Sequence, residues 1–235
     1  MGRSVVFAGA DRCPTCSLPP RWCICDTLPP VVTRLAVHVL IHRGEQRRPS
    51  STGNLVARVV GNATRHVYQR ETRFFSASGL TADSLGTSHE IWILHPGGEP
   101  LPAGGGMHDD ASGPSPSVVL LDGTWRQAGE MLRTVERLGR CVSLPHAAEE
   151  PSRYWLRDQP AAGQLSTAEA LLGVLQAIDD HEAHRRFRLH FELHVYAMLL
   201  ARGRREMAER YLGHSPLLTE AASILDRLHT RWGNR

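Results

Sequence analysis

Residues 118–128 read VVLLDGTWRQA, and this stretch decides the fold class. Val118 to Leu121 are apolar at every position rather than at every second one, as in a strand covered on both faces. The run stops at Asp122, turns through Gly123 and Thr124, and passes into RQAGEMLRTVERL, whose apolar residues recur at helical spacing. A strand to residue 122 and a helix over 125–138 make half of a β-α-β unit. Asp122 then has two readings. Asp-Gly is a turn signal and Thr124-x-x-Gln127 fits a capping box, so the residue serves as punctuation. Alternatively it is a carboxylate at the end of a buried strand, where α/β sheets bind ligands.

The same alternation extends in both directions. LAVHVLI (35–41) is a second buried strand, IWILHP (91–96) a third that ends at proline, and CVSLP (141–145) a short fourth. Between them, Ser51 or Thr52 caps a helix with Leu55, Val56, Val59 and Val60 on its inner face. LSTAEALLGVLQAI (165–178) is a helix opened by the capping box Ser166-x-x-Glu169, and 188–202 and 216–231 form two more. The Gly/Pro/Ser-rich stretch 97–117 reads as a loop. The result is an α/β fold, a parallel sheet with helices on both faces. His42, Pro96, Asp122 and Pro145 stand at its strand ends, and place one candidate site at four points in the chain.

Composition sets the outer bounds. The 235 residues carry 41% hydrophobic and 22% charged side chains, ordinary for a globular protein. No apolar run approaches the ~20 residues that cross a bilayer, and MGRSVVFAGADRC lacks the apolar stretch of a signal peptide, so no membrane association and a cytoplasmic location are expected. With no obvious dimerisation segment, a monomer is expected. Net charge is +3, yet all 27 basic residues are arginine. Arginine offers a planar, permanent fork for phosphate, and a pI near 8.8 permits nucleic acid as a partner without requiring it.

Four of five cysteines fall within CPTCSLPPRWCICD (13–26), as Cys13-x2-Cys16 and then Cys23-x-Cys25. Four thiolates at this spacing can surround one tetrahedral zinc, and Pro19 and Pro20 help turn the chain between the pairs. A closed four-cysteine site has no open coordination position, so the metal is read as structural. Residues 1–30 are expected as a zinc module before a main domain over 31–235, with 188–235 as its C-terminal helices. Cys141 reads as a buried structural thiol. His190 and His194 share a helix face, without other evident ligands for a metal.

CPTCSLPPRWCICD, IHRGEQRRPSSTGNL, LLDGTWRQAGEML and LSTAEALLGVL, in that order, resemble the DTW-domain family of tRNA-uridine aminocarboxypropyltransferases. The family's Asp-x-Thr-Trp motif reads here as Asp122-Gly123-Thr124-Trp125, and the resemblance runs from about residue 13 to 200. One departure is Ser51, where asparagine is expected in many members. The resemblance implies a SPOUT-like fold with a trefoil knot in its C-terminal part. It also implies S-adenosylmethionine as co-substrate and tRNA as partner, with transfer of the 3-amino-3-carboxypropyl group to uridine N3 and release of methylthioadenosine. The absence of a GxGxxG after any strand fits a pocket that is not of the ordinary Rossmann kind.

Uridine N3 must lose a proton before it attacks, and Asp122 is the candidate general base, with Glu45 and His42 in reserve. Cofactor-binding candidates are Leu94, His95, Pro96, Gly123, Thr124, Trp125, Leu144, Leu165, Ser166, Thr167 and Glu169. Within these, Ser166, Thr167 and Glu169 are assigned to the methionine end. Trp125 reads either as a core residue or as a platform for adenine or the target base. Arg43, Arg47, Arg48 and Arg65 are the candidate RNA contacts, Arg70 and Arg73 follow them, and Arg185, Arg186 and Arg188 form a second cluster. Two rival functions stay open: SPOUT-type RNA methylation, and a zinc-stabilised RNA-binding module without chemistry.

Overall fold

The computed structural model describes residues 11–69, 90–101, 116–144, 151–157 and 164–233. Five strands, β1 (Ala36–His42), β2 (Ala63–Tyr68), β3 (Ile91–Pro100), β4 (Ser117–Asp122) and β5 (Arg140–Ser143), form one sheet in the order β2-β1-β4-β3-β5. Every pair is parallel, as the uninterrupted apolar runs imply. All carboxyl ends therefore share one edge, with β4 central between β1 and β3. Ile41 pairs with Asp122, and His42 with Tyr68.

Side-chain alternation splits the core in two. Val37, Val39, Ile41, Trp92, Val118 and Leu120 join the larger cluster. That face is covered by α1 (Thr52–Val59), α3 (Thr167–Ala177) and α4 (His181–Ala201). Leu40, Tyr68, Ile93 and Val119 face the other way, against Met131 and Val135 of α2 (Trp125–Val135). Three further helices, α5 (Arg205–Leu212), α6 (Leu217–Glu220) and α7 (Ala222–Gly233), lie beyond α4. Among the described residues no helix is long and apolar enough to cross a membrane.

The structure amends four expectations. β3 does not end at Pro96; it continues to Pro100 through a register shift between Leu94 and Glu99, so 97–100 belong to the sheet. Gly98 permits this, because a Cβ there would stand 2.6 Å from the Val142 backbone. The helix expected at 188–202 starts at His181, where the Asp180 side chain accepts from Ala183 N–H. The one expected over 216–231 is divided at Ala221. Cys141 is half-buried rather than buried. Pro145, most of the 97–117 stretch, Arg70 and Arg73 lie outside the described residues.

The cysteine-bearing segment is joined to the main body. Leu18, Trp22 and Ile24 are buried in the same cluster as the sheet, and the 3-10 turn Pro20–Trp22 contacts α4 and α7.

Candidate functional site

Asp122 is buried at the end of β4, on the side of α1 and α3. Its Oδ2 accepts from the Ser51 hydroxyl at 2.7 Å, and its Oδ1 from the Thr167 hydroxyl at 2.6 Å and from Gly53 N–H at 3.2 Å. Ser51 is the N-cap of α1, and its Oγ also accepts from Asn54 N–H. Thr167 is the first residue of α3, after the N-cap Ser166. One carboxylate thus gathers two helix N-termini at the end of the central strand, where their dipoles favour negative charge. Gly53 is required for this approach, since a Cβ would lie 2.6 Å from Asp122 Cβ and Cγ. Burial pushes the Asp122 carboxyl above its ordinary range, against the lowering effect of the Thr167 and Ser51 hydroxyls.

A second layer surrounds this junction. Glu169 closes the α3 capping box by accepting from Ser166 N–H at 2.8 Å. Its other oxygen accepts from the Ser152 hydroxyl (2.6 Å) and Arg153 N–H (2.7 Å). Arg153 in turn forks onto the buried Glu192 at 3.0 and 2.6 Å and lies 3.9 Å from the Tyr211 ring centre. Glu45, also buried, pairs with Arg48 at 2.8 Å and Arg157 at 2.5 Å. The segment 151–157 therefore straps α3, α4 and the turn after β1 together. Sequence reasoning missed this strap and the Ser51–Gly53 contribution; a glycine just inside a helix start, which costs stability unless something approaches closely, was the available signal.

The other side of the same edge is open. His42 and His95 are half-exposed, and Pro96 and Thr124 are exposed. Thr124 caps α2 through a capping box with Gln127, as expected. Trp125 is 43% exposed, which overturns its reading as a core residue. Leu94 and Leu144 are partly buried against the larger cluster, and Leu144 lies over Gly173 of α3. Leu165 and Ser166 are half-buried just before α3. Leu144 at the end of β5 thus meets the start of α3, on the side where Thr167 meets Asp122 at the end of β4.

The four N-terminal cysteines converge. All four sulfurs lie within 4.8 Å of one another, with Cys13 Sγ to Cys25 Sγ at 3.6 Å and Cys16 Sγ to Cys23 Sγ at 3.8 Å. Thiolates ~2.3 Å from a tetrahedral zinc stand roughly 3.8 Å apart, so the donor set fits that metal. His190 and His194 form no second such group among the described residues: His190 Nε2 lies 2.8 Å from the Pro29 carbonyl, and His194 is buried alone.

Arg43, Arg47, Arg48 and Arg65 are exposed around the turn after β1 and the adjacent strand. Arg65 donates to Asn54 Oδ1 at 3.5 Å, and Asn54 donates to the Gln46 carbonyl. In the second cluster Arg185 pairs with Glu182 and Glu220, and Arg186 with Glu182, which neutralises much of it.

Residues 10–199 match the DTW domain family. The chain is similar to tRNA-uridine aminocarboxypropyltransferase 2 of Mus musculus, with 28% identity over 72% of this chain and 56% of that protein. It is 26% identical to the Drosophila melanogaster protein of the same name, over 72% of this chain and 67% of that one. It is 29% identical to tRNA-uridine aminocarboxypropyltransferase A of Arabidopsis thaliana, over 71% and 72% of the two chains. The match thus spans little more than half of the mouse relative's length. No solved structure matches.

Proposed function

The chain belongs to the DTW-domain family, and from that premise we propose that it is a tRNA-uridine aminocarboxypropyltransferase. The observation that carries this reading is the Asp122 junction, which puts the family's Asp-x-Thr-Trp motif at the carboxyl edge of the central strand. S-adenosylmethionine would supply the 3-amino-3-carboxypropyl group and depart as methylthioadenosine. The rim residues Leu94, His95, Pro96, Gly123, Thr124, Trp125, Leu144, Leu165, Ser166, Thr167 and Glu169 are the ones that would hold it. A SPOUT-like knot in the C-terminal part belongs to the same proposal and rests on the family alone; the open parallel sheet with β4 at its centre supports the α/β class.

The uridine N3 bonds to the methylene carbon, the carbon–sulfur bond breaks toward sulfur, and the N3 proton goes to a base. Asp122 is that base in this reading. Burial raises its carboxyl above the ordinary range, which makes it the stronger proton acceptor. The hydroxyls of Ser51 and Thr167 fix its plane, and Oδ2 has only the Ser51 donor among the described residues. Arg43, Arg47, Arg48 and Arg65 would contact the tRNA backbone. Zinc on Cys13, Cys16, Cys23 and Cys25 would fasten the N-terminal segment that Trp22 anchors in the core.

Mass analysis of nucleosides from tRNA incubated with the protein and S-adenosylmethionine tests the function. An aminocarboxypropyl addition with methylthioadenosine release supports it; a methyl addition supports the methyltransferase, and no addition the binding module. Asp122→Asn should bind S-adenosylmethionine but lose about 10²–10⁴-fold in rate, with residual activity rising with pH. Near-normal turnover would return Asp122 to a structural role.

A further inference from the structure

The strap 151–157 is fastened at three points around the Asp122 junction. The Ser152 hydroxyl and Arg153 N–H donate to Glu169 at the start of α3. The Tyr154 hydroxyl donates to the Ser50 carbonyl, next to the Ser51 that binds Asp122. Arg157 Nη2 donates to Glu45 Oε2 at 2.5 Å. Glu45 sits in the turn after β1, where its N–H donates to the His42 carbonyl. Two further turn bonds, Arg48 N–H to the Glu45 carbonyl and Ser51 N–H to the Arg48 carbonyl, lead from there to the cap of α1. Arg157 therefore stands at the same carboxyl edge as Asp122. Burial works against its charge, yet Tyr154, Glu45 and Asp122 together raise its pKa above the ordinary arginine value.

The charges at this corner do not cancel. Glu45 is buried and meets two guanidiniums, Arg48 at 2.8 Å and Arg157. Arg202, at the end of α4, donates to the Leu156 carbonyl at 2.8 Å and adds a third. Arg153, the other arginine of the strap, is neutralised by Glu192. Three guanidiniums thus accompany two carboxylates, Glu45 and Asp122, and Asp122 is engaged by hydroxyls and an amide instead of a guanidinium. Of the five N–H donors of a guanidinium, Arg157 places one on Glu45, and its Nε and Nη1 have no partner among the described residues. The side chain is 35% exposed.

The residues assigned to the methionine end lack such a cation. Ser166 and Glu169 close the capping box on each other, the strap takes the second Glu169 oxygen, and Thr167 donates to Asp122. None of the three carries a positive charge. The group to be transferred bears a carboxylate, which is unfavourable to enclose without a charged partner. We propose that Arg157 is the binding residue for that carboxylate of S-adenosylmethionine. This rests on the aminocarboxypropyl-transfer reading above and adds the charge partner that the methionine end requires. Glu45 orients the guanidinium from one side, and its remaining donors form charge-assisted hydrogen bonds to the ligand. The same contact would select the co-substrate against analogues without the carboxylate.

The test is equilibrium binding of two ligands, S-adenosylmethionine and its decarboxylated analogue, by isothermal titration calorimetry. Wild type should bind S-adenosylmethionine about 10- to 100-fold more tightly than the analogue. Arg157→Gln should lose about that factor for S-adenosylmethionine and change by less than about 3-fold for the analogue. Arg157→Lys, which keeps the charge, should recover part of the loss. A residue that only ties the strap to Glu45 would weaken both ligands alike. That outcome, or a Gln variant that binds S-adenosylmethionine as wild type does, overturns the proposal. So does a variant that loses tRNA affinity alone, the mark of a phosphate contact. If Arg157→Gln fails to fold because buried Glu45 is left short of a partner, Glu45→Gln is combined with it. The double variant removes both charges of the pair and should show the same one-sided loss. Wild type that binds both ligands equally overturns this inference alone. Wild type that binds neither, or transfers no aminocarboxypropyl group to tRNA, overturns the function itself and this inference with it.

Discussion

The two sides of the sheet's carboxyl edge handle polar groups in opposite ways. On the α1 and α3 side, Asp122, Glu45 and Glu169 are enclosed and engaged, with hydroxyls, backbone amides and guanidiniums converging on them. On the other side, His42 and His95 are half-exposed and Trp125 is exposed. On the first side each carboxylate is surrounded by donors; on the second, His42 and His95 each accept a single backbone N–H. A buried polar cluster that is fully satisfied gives the open side its precision, because the strand ends it pins carry both sides at once.

Breaking the closed side should have the largest effect. Asp122→Ala leaves the Ser51 and Thr167 hydroxyls and Gly53 N–H without their acceptor. At about 1–3 kcal/mol for each buried group left unpaired, the loss should reach about 3–5 kcal/mol in urea denaturation. Asp122→Asn, which keeps the shape and one carbonyl, should cost under about 2 kcal/mol. A loss below about 1 kcal/mol for alanine would mean that the junction is not what holds the two helices.

Acid should act on the buried histidines. His38 lies two turns of the pleat below His42 on the same face, 3.2 Å from His66, and burial, with His66 opposing a second charge, lowers its pKa to about 4. His194 is buried in α4, and burial, followed by Arg58 and Arg202, lowers its pKa to about 3. Both folded values lie below the unfolded value near 6.5, so their contribution is present above that pH. It is lost as pH falls through 6.5 toward 4 for His38 and toward 3 for His194. Asp122 runs the other way, since its raised carboxyl favours the acid form in the fold. The net effect between pH 7 and 5 should be a stability loss on the order of 2–4 kcal/mol. The urea midpoint should fall accordingly, and His194→Leu should flatten the slope. An unchanged midpoint at pH 5 would show that these rings are solvated in solution.

Glycines sharpen the contrast at smaller cost. Gly53→Ala drives a methyl to within 2.6–2.8 Å of the fixed Asp122 side chain and should cost about 1–3 kcal/mol. Gly97→Ala meets only the His95 ring edge at 3.3 Å, and should stay under about 1 kcal/mol. Equal costs in thermal unfolding would erase the distinction between the two sides.

The sequence carried whatever local chemistry could encode. The β4 run, the capping boxes at Thr124 and Ser166, the Ser51 cap and the four-cysteine spacing all stand where their residue patterns place them. β2 was not legible, because ATRHVY lies at the sheet edge and its outer half is polar. The first turns of α4, HEAHRR, are polar because most of their side chains are exposed or half-exposed, and the rest is buried almost all round and shows no stripe. The partners of Asp122 are 71, 69 and 45 residues away in sequence, and nothing local announces such pairings. Trp125 misled in a more instructive way. It lies on the stripe that Ala128, Met131 and Val135 bury, but one turn beyond the end of β4, where there is no sheet left to cover it.

That position makes the smallest stability effect the most telling one. A core tryptophan such as Trp92, fully buried between β4 and β5, should cost about 3–5 kcal/mol when cut to alanine. Trp125→Ala removes a ring already 43% exposed and should move stability by about 1 kcal/mol or less. If the ring is a platform for a base, the same change should weaken RNA binding by about 1–3 kcal/mol, and Trp125→Phe should restore much of it, because stacking needs a π-face rather than an indole. Binding must be compared at one fixed salt concentration, since phosphate contacts weaken with salt while stacking does so far less. A variant that melts early and binds RNA normally would put Trp125 with the packed side of the edge after all. One that folds normally and loses RNA would place the boundary between scaffold and ligand within a single turn, between Asp122 and Trp125.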